Sequence, residues 1–466
     1  MFFALDRKYD DSVQTKNDKE GLHLFYTIRR WIRSRTLPRG TASCIRLLCA
    51  GAALASVAAC SSAPKQPLAA EPPQATKKEP VELVFFSTSG WTKEAFDERF
   101  GDAMKRKFPD YTITYIQSSK NVTMDSLITA GTTFDIFWDT YTNAFINLDR
   151  YKLQFDMSDL IKKYNVNLNQ LDPASINIAK TMSNGKMYAL PLVNNTDVLY
   201  YNKDIFDKFG VPYPKDGMMR DEVLDIAKRL NRVDGGTAYY GLGLYPSNAL
   251  AMSPFSIPYI DAKTQTPTIQ TDARWKTVFE PLIAAYRTTD NKKMSDPNQF
   301  LKTGNMAMFI GLANMFLNFD ASGVNWDLAT YPLFKEAPGV GPQPLPTMFS
   351  ITSMSKHPDE AMEVLAYMLT EEPQKSLAER AIIPVLQTPA VTQAFGTKSP
   401  YPGKNYAAIL KNKFAEIPPM TVYDKLAQNI YLKPLEALAK GTTDLNTAFR
   451  NIDLETRQMI MQEKAK

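Results

Sequence analysis

Cys60 ends an apolar run that begins at Leu47, and its thiol stands next to two small residues, Ala58 and Ala59. Six arginines precede the run, at positions 29, 30, 33, 35, 39 and 46. A basic segment, a short apolar core and a small-residue cleavage site are typical of a secretory signal, and the apolar part is too short to span a bilayer comfortably. Residues 1–59 are therefore predicted to be a signal peptide.

The four residues Val57–Cys60 resemble the bacterial lipobox, in which the cysteine thiol is lipidated and becomes the mature N-terminus. Acyl chains such as palmitate hold a protein to a membrane by burying CH₂ groups. The resemblance implies a lipid anchor on Cys60 at the extracytoplasmic face of the cell membrane. The alternative is a signal helix that carries no lipid.

The chain beyond Cys60 has few groups for covalent or metal chemistry. The other cysteines, Cys44 and Cys49, lie in the leader, so the folded part forms no disulfide and has no Cys-ligated metal. His357 is the one histidine that remains, which excludes a multi-His zinc site and makes any His-dependent catalysis depend on that residue. We expect no cofactor.

The net charge also changes when the leader is removed. Residues 1–59 hold 10 of the 54 Lys and Arg residues and 5 of the 49 Asp and Glu residues, so 44 of each sign remain. The sequence pI of 8.7 is therefore mostly a property of the leader. No basic stripe indicates a nucleic-acid partner.

After Cys60 the composition changes twice. Residues 60–80 are rich in Pro, Ala, Lys and Gln and are predicted to be a disordered tether, because they cannot bury enough apolar surface to fold. Strands are then predicted at 81–86, 111–116 and 134–138, with helices between them. This order indicates a parallel sheet with right-handed crossovers. Ligands bind beyond the C-terminal strand ends of such sheets, where residues 87–91 and 138–139 are placed.

The strongest local pattern is Pro191–Lys208, which reads PLVNNTDVLYYNKDIFDK. It resembles the signature of bacterial extracellular solute-binding protein family 1, which includes the maltodextrin-binding proteins of ABC importers. Its physical content is a strand over 198–201 that runs into a helix beginning near Asn202 or Asp204, both of which are good N-caps.

Other segments are similar to this family in the same order. Residues 132–138 resemble its "PDI" strand, with Phe134 in place of the usual Pro. Residues 184–191 resemble its glycine hairpin, 300–308 its "F..G..AM" helix and strand, and 355–361 the start of a later helix. Together they cover about residues 81–460.

The resemblance implies an α/β, two-lobed periplasmic-binding-protein-like fold of type II, with a ligand cleft between lobes joined by hinge crossings. The crossings are expected near 191–197, 329–334 and 368–372. Lobe 1 is then 81–193 plus 332–369, and lobe 2 is 194–331 plus 370–466. A ligand that bridges both lobes stabilises the closed state, which the transporter recognises.

A sugar presents apolar C–H faces and a rim of hydroxyls, so its site needs flat aromatic faces and side chains with paired donors or acceptors. Trp138 is the strongest aromatic candidate, because the family's matching Trp often lines the cleft; the alternative is a core tryptophan. Asp139 is either a ligand acceptor or a helix cap. Trp91 is either a stacking residue or a hydrophobic staple. Asn194 and Asn195, at the first crossing, are either ligand contacts or turn residues.

Candidates in lobe 2 come from the resemblance. Tyr245 and Asn248 lie in a segment that corresponds to a ligand-contacting stretch of the family. Asn314 stands where relatives commonly carry an aromatic residue after the glycine, so stacking is not expected there. Tyr423, which follows Pro418-Pro419, is the candidate that replaces it.

The resulting hypothesis is a substrate-binding lipoprotein of an ABC importer, a monomer that captures a mono- or oligosaccharide outside the cell membrane and performs no catalysis. Its expected partners are the carbohydrate, two permease subunits in the membrane, and the membrane itself through the lipid on Cys60. One alternative is another solute on the same architecture, such as a polyamine, iron or phosphate. The other is a surface carbohydrate-active enzyme, which needs two carboxylates about 5–10 Å apart.

Overall fold

The computed structural model describes residues 81–288, 291–319 and 323–465. The predicted signal peptide, the lipidation site at Cys60 and the tether lie outside these residues. The described strands are β1 Val81–Ser87, β2 Tyr111–Gln117, β3 Ile136–Thr140, β4 Leu190–Asn194, β5 Asp197–Asn202, β6 Arg232–Asp234, β7 Thr237–Leu244, β8 Met306–Leu312, β9 Trp326–Ala329, β10 Thr347–Ile351 and β11 Ile383–Pro384.

Helix α1 joins Lys93–Phe96 to Asp102–Lys107 through a π-helical turn, Asp97–Gly101. Short 3₁₀ turns occur at Leu168–Gln170 and Met315–Asn318. The other helices are α2 Met124–Thr129, α3 Tyr141–Arg150, α4 Ser158–Lys163, α5 Pro173–Met182, α6 Lys203–Phe209, α7 Arg220–Leu230, α8 Pro246–Ala251, α9 Arg274–Thr288, α10 Asn291–Met294, α11 Asn298–Leu301, α12 Pro358–Met368, α13 Glu371–Glu379, α14 Pro389–Thr392, α15 Ala408–Lys411, α16 Asp424–Leu432, α17 Leu435–Lys440 and α18 Leu445–Lys464. None of the helices among the described residues has the length and apolarity that a membrane crossing requires.

The first sheet has the strand order β11-β4-β10-β3-β1-β2. Strand β1 pairs in parallel with both β2 and β3, which confirms the parallel sheet predicted from the sequence. Strands β10, β4 and β11 complete the sheet in antiparallel pairings. Phe96, Phe100 and Met104 are fully buried on one face of α1, as their spacing of four residues predicts, and they cover this sheet.

The second sheet has the order β6-β7-β8-β5-β9. Its inner strand β5 is buried on both faces, because Leu199 and Tyr201 enter one apolar cluster while Val198 and Tyr200 enter another. Helix α7 packs so closely on β7 that a Cβ atom at Gly241 would lie 2.0 Å from the Ala227 carbonyl oxygen. Strand β6, whose three residues are all exposed, forms one edge of the sheet.

The chain passes between the two sheets at several places. Residues 195–196 join β4 to β5, and residues 330–346 join β9 to β10. A later passage follows β11, because Val391 and Ala394 still pack in the core of the first lobe whereas Ala408 and Ile409 pack against the second sheet. Ile417 and Met420 then return to contact the first lobe before α16 begins.

The crossing expected near 368–372 is not found there, and the lobe boundary placed at 369–370 was wrong. Leu369, Leu377 and Val385 all belong to the core of the first lobe. The buried side chain of Gln374 donates to the carbonyl oxygens of Leu192 and Met368 and accepts from the amides of Val385 and Leu386, at 2.9–3.2 Å. These four hydrogen bonds between the Gln374 side-chain amide and the backbone hold α13 and β11 against β4. The chain therefore stays in lobe 1.

Candidate ligand-binding cleft

The connections place corresponding strand ends of the two sheets at a common boundary. In the first sheet, β1, β3 and β4 run in the same direction, so their C-terminal ends lie on the same side. In the second sheet, the C-terminal ends of β7, β8 and β9 lie on the same side as the N-terminal end of β5. Because only residues 195–196 connect β4 to β5, these two sets of strand ends face each other. We call the boundary between them the cleft.

Asp139 lies on the lobe 1 side of the cleft and is 1% exposed. Its carboxylate accepts hydrogen bonds from the Thr88 hydroxyl, from the Thr140 amide at 2.7 Å and from the Asn143 side chain at 3.2 Å. Both carboxylate oxygens are therefore occupied by the protein. The N-cap position of α3 is Thr140, and its helix start has no side-chain capping bond, so Asp139 does not cap the helix.

Trp138 does not present a ring face to the cleft, so the expectation that it stacks on a ligand was wrong. It is 1% exposed, and its ring stacks on Phe349 at 5.5 Å and on Phe96 at 6.0 Å. The edge of Trp91 contacts it at 4.9 Å. A tryptophan enclosed by aromatic rings in this way fills the core behind the strand end.

Trp91, in contrast, is partly exposed after the turn at Gly90. Its ring packs parallel to Phe100 at 6.2 Å, and the Arg99 guanidinium lies 4.0 Å from its centroid. Burial lowers the pKa of Arg99 to about 10, and the nearby Arg380 contributes in the same direction. Trp91 therefore keeps one exposed edge at the cleft while its faces are largely occupied.

The two asparagines of the first crossing have different surroundings. Asn194 accepts from the Ser175 hydroxyl at 3.0 Å and donates to the Asp172 carboxylate at 3.2 Å, so both ends of its amide are engaged inside lobe 1. Asn195 accepts from the Thr196 amide at 3.0 Å, which is a local turn contact. The geometry of Asn194 matches the alternative of hinge chemistry rather than ligand contact.

Lobe 2 contributes a buried carboxylate, Asp197, that the sequence did not single out. It is 4% exposed and accepts from the Asn248 side chain at 3.2 Å. Burial raises its pKa to about 6, although Asn248 and the positive charge of Arg220 oppose that rise. Tyr245 stands one turn before Asn248, is partly exposed, and meets Phe309 edge-to-face at 5.2 Å.

Arg220 is the second buried charged residue on this side, and it is 5% exposed. Its guanidinium lies 5.0 Å from the Tyr331 ring and 4.9 Å from the Phe334 ring, and it donates to the Tyr331 hydroxyl. Its Nε has no hydrogen-bond partner among the described residues.

The N-terminus of α16 brings Tyr423 and Asp424 to the same boundary. Tyr423 is partly exposed and packs against the lobe 2 core. Asp424 is 2% exposed, and burial raises its pKa to about 6. Burial likewise raises the pKa of Tyr141, in lobe 1, to about 12, with a further contribution from the charge of Asp424. The charge of Asp424, in lobe 2, therefore acts on Tyr141 in lobe 1.

Several buried polar atoms along this boundary lack a protein partner among the described residues. They are Thr196 Oγ1, Arg220 Nε and Gln343 Oε1. Gln343 lies in the second crossing, where its Nε2 donates to the Ser253 carbonyl oxygen at 3.0 Å. Buried polar groups are nearly always hydrogen-bonded. Unpaired ones at both crossings indicate a boundary that water or a ligand completes.

The sequence of residues 87–375 matches the family described as bacterial extracellular solute-binding protein. The chain belongs to this family. An uncharacterized ABC transporter extracellular-binding protein of Pyrococcus horikoshii is 26% identical to it over 208 residues. That alignment covers 43% of this chain and 45% of the relative, so it spans less than half of either sequence.

Solved structures share the two-lobed fold of this solute-binding protein at low sequence identity. The ABC substrate-binding protein of Listeria monocytogenes in complex with cycloalternan has a TM-score of 0.66 at 17% identity, covering 82% of this chain and 99% of that one. A sugar transporter of Rhizobium etli in an open conformation has a TM-score of 0.63 at 18% identity, covering 81% and 99%. The maltotriose-bound maltodextrin-binding domain of Bdellovibrio bacteriovorus has a TM-score of 0.59 at 16% identity, covering 82% and 100%.

Most of the residues predicted from the sequence lie at this boundary, and their contact with a ligand stays a prediction. Asp139, Asn195, Trp91, Tyr245, Asn248 and Tyr423 lie along it, whereas Trp138 and Asn194 are held inside lobe 1. The residues that were missed are Asp197, Arg220, Tyr331, Tyr141 and Asp424. Asp197 could have been predicted from the sequence, since it is a charged residue at the start of an otherwise apolar strand. Nothing in the sequence around the other four residues distinguishes them.

Proposed function

We propose that this solute-binding protein is the substrate-binding lipoprotein of a carbohydrate ABC importer and that it captures a mono- or oligosaccharide. Three relatives of the same fold support this choice, since their structures contain maltotriose, mannotriose and cycloalternan. The observation that carries the proposal is the combination, at one boundary, of partly exposed aromatic rings with buried polar groups that lack partners.

The chemistry of the boundary suits a hydroxylated ligand. Tyr245 and Tyr423 offer apolar surface on which the C–H face of a sugar ring can pack, and Trp91 adds an exposed edge. Asp197 and Asn248 offer acceptor and donor groups that match vicinal hydroxyls. A sugar would place these groups in hydrogen bonds while excluding water from the rings.

Ligand binding would act through closure of the two lobes. Candidate contact residues lie on both walls of the cleft, so a ligand that touches both walls favours the closed arrangement. The ligand can change the equilibrium between the open and the closed arrangement by no more than the ratio of its affinities for the two. The proposal includes no reaction: the protein would present the bound sugar to two permease subunits and then release it.

The location of the protein is also part of the proposal. Acylation of Cys60, for example by palmitate, would anchor the monomer at the extracytoplasmic face of the cell membrane, with residues 61–80 as a tether. The test compares the full chain with a Cys60→Ala variant after expression in a bacterium fed an alkyne-labelled palmitate analogue. Label and membrane association in the full chain, and neither in the variant, are expected; equal labelling of both would contradict the anchor.

The binding function is tested by thermal unfolding of residues 61–466 with a panel of maltotriose, mannobiose, mannotriose, D-mannitol and D-tagatose. A ligand present at 100 times its Kd is expected to stabilise the native state by about 2.7 kcal/mol, which raises the Tm. Spermidine, ferric citrate and phosphate serve as the non-sugar arm. A Tm that rises only with a non-sugar solute contradicts the carbohydrate assignment, and release of reducing sugar from the oligosaccharides contradicts the absence of catalysis.

A further inference from the structure

We propose that Asp197 and Asp424 are the two carboxylates with which lobe 2 accepts hydrogen bonds from hydroxyl groups of the bound ligand. This inference rests on the proposed function and assigns ligand contacts to two residues at opposite ends of the lobe 2 wall. It follows from one feature that the two side chains share: each is buried, and each has only one of its two carboxylate oxygens in use.

Asp197 opens strand β5 directly after the first crossing. Its Oδ1 accepts from the Asn248 side chain at 3.2 Å, while Oδ2 accepts no hydrogen bond from any described residue. The carboxylate makes no ion pair within 4 Å in the described part of the chain. Arg220 is the nearby cation, but its donors point to Tyr331, and its Nε is itself unpaired.

Asp424 has the same half-satisfied geometry on α16. Its Oδ1 accepts from the amide and the hydroxyl of Thr421, which is the hydrogen bonding of a helix start. No described residue donates to its Oδ2. The side chain is 2% exposed, and no ion pair reaches it within the described residues. The contacts with Thr421 at the helix start therefore use Oδ1 and leave Oδ2 free to accept a hydrogen bond from a ligand.

Helix α8 links the two carboxylates. Asn248 on this helix binds Asp197, and the carbonyl oxygen of the preceding Ser247 accepts from Gln428, one turn along α16 from Asp424, at 2.8 Å. The start of α8 therefore lies between the two acidic groups. Both carboxylates thus belong to one wall of the cleft.

The groups that surround these carboxylates are mostly neutral. Tyr200, Tyr245 and Tyr331 are close enough to Asp197 for its charge to raise their pKa values, and Arg220 is the one cation that acts on it among the described residues. Tyr141, Tyr259 and Tyr431 stand in the same relation to Asp424. Lys425, which follows it, donates to Gln428, and burial lowers its pKa.

An ionised carboxylate is a pure acceptor, and holding a largely buried one with a single bonded oxygen carries a desolvation cost, while each free oxygen stays open enough for a ligand hydroxyl to reach it. Burial accordingly holds the pKa values of both groups at about 6, above the usual range for Asp. A ligand hydroxyl that donates to each free oxygen would remove that cost in the bound state. The two carboxylates therefore reduce the stability of the ligand-free protein and strengthen its hold on a polyhydroxylated ligand.

The test uses Asp197→Asn and Asp424→Asn, which keep the side-chain shape and remove the charge. Asp135→Asn is the matched control, because Asp135 is 8% exposed, lies at the opposite end of β3 and uses both oxygens, for Val84 at 2.9 Å and Ser355 at 2.6 Å. Affinity is measured by calorimetry with whichever of maltotriose, mannobiose or mannotriose the wild-type protein binds. Stability is measured as the ligand-free Tm at pH 7.5.

Each of the two cleft variants is expected to lower the affinity at least about tenfold, the effect of losing a hydrogen bond to a charged group, and to raise the ligand-free Tm. Asp135→Asn is expected to lower the Tm and leave the affinity within about twofold of wild type. A cleft variant that keeps wild-type affinity, or that unfolds earlier as Asp135→Asn does, overturns the assignment for that residue. If the wild-type protein binds no sugar of the full panel used to test the proposed function, that function fails first and the inference fails with it.

Discussion

The side-chain amide of Asn194 donates to the carboxylate of Asp172 across 3.2 Å, directly before the chain leaves lobe 1. Asp172 is also the N-cap of α5, where its carboxylate accepts from the Ser175 amide at 2.9 Å. Gln387, beyond β11, donates to the other oxygen at 3.3 Å. One buried carboxylate therefore fixes the end of β4, the start of α5 and the chain after β11 relative to one another.

Replacing Asp172 by Ala is expected to lower the free energy of unfolding by about 2 kcal/mol or more. The variant loses a helix cap and leaves the buried amides of Asn194 and Ser175 without their acceptor. Chemical denaturation checks the value. Asp159→Ala is the control, since Asp159 is exposed and only pairs with Lys162 at 3.3 Å, and equal stability of the two variants would contradict the assigned role.

Gln374→Leu tests why the chain remains in lobe 1 after α12. Leucine is similar in volume but leaves two carbonyl oxygens and two amides of the backbone unpaired in the core. The expected loss is about 3 kcal/mol or more of unfolding free energy, because each buried group without a partner costs about 1–3 kcal/mol. Lys375→Ala on the exposed face of the same helix is expected to change stability by less than about 0.5 kcal/mol.

Two substitutions at Trp138 separate packing from ligand contact. Trp138→Ala is expected to lower the free energy of unfolding by about 3–5 kcal/mol, because it opens a cavity among Phe96, Phe349 and Trp91. Trp138→Phe keeps a ring there and removes the unpaired Nε1, so its cost is expected to be smaller. A Trp138→Phe variant that folds normally but loses sugar affinity would contradict the enclosed position of this ring.

The stability of the ligand-free protein is expected to rise as the pH falls from 7.5 to about 5. Burial raises the pKa values of Asp197 and Asp424 to about 6 in the folded state, above the usual Asp pKa of about 3.9, so between these values the folded state binds more protons than the unfolded chain. A shift of about 2 pKa units corresponds to on the order of 3 kcal/mol per group at most. Carboxylates with lowered pKa values, such as Asp97 and Asp156, act in the opposite direction only below about pH 4.

The Tm across this pH range is the measurement, with the double variant Asp197→Asn plus Asp424→Asn as the control. In the double variant the rise toward pH 5 is expected to disappear. A wild-type Tm that falls steadily between pH 7.5 and 5 would contradict the burial of these two charges.

The alternation of strands and helices in the first lobe was predictable because it depends on local patterns. Phe96, Phe100 and Met104 repeat every four residues, and all three are buried on one helix face. The strand near 198–201 was predictable for a similar reason, since its residues are apolar and Asn202 caps the helix that follows. Such signals lie within a few turns of chain and need no knowledge of distant partners.

The third crossing and the polar residues of the cleft could not be predicted in this way. The position of α13 depends on Gln374, whose partners lie 182 residues away at Leu192 and 6 residues away at Met368. Trp138 lies within the apolar strand β3, and only the packing of Phe349, a residue from β10, shows that its ring is enclosed. The charge of Asp424 contributes to the raised pKa of the buried Tyr141 in the other lobe, and nothing in either local sequence predicts that the two residues act on each other.

Strand β6 limits self-association of this protein through the edge of its second sheet. It ends the second sheet after only three residues, two of which, Arg232 and Asp234, are charged, and Asp234 is paired with Lys208 at 2.8 Å. A neighbouring chain that docked its backbone there would gain few ladder bonds and would have to strip water from both charges. Crowding many copies side by side on a surface would therefore not lead to sheet-to-sheet polymerisation through this strand.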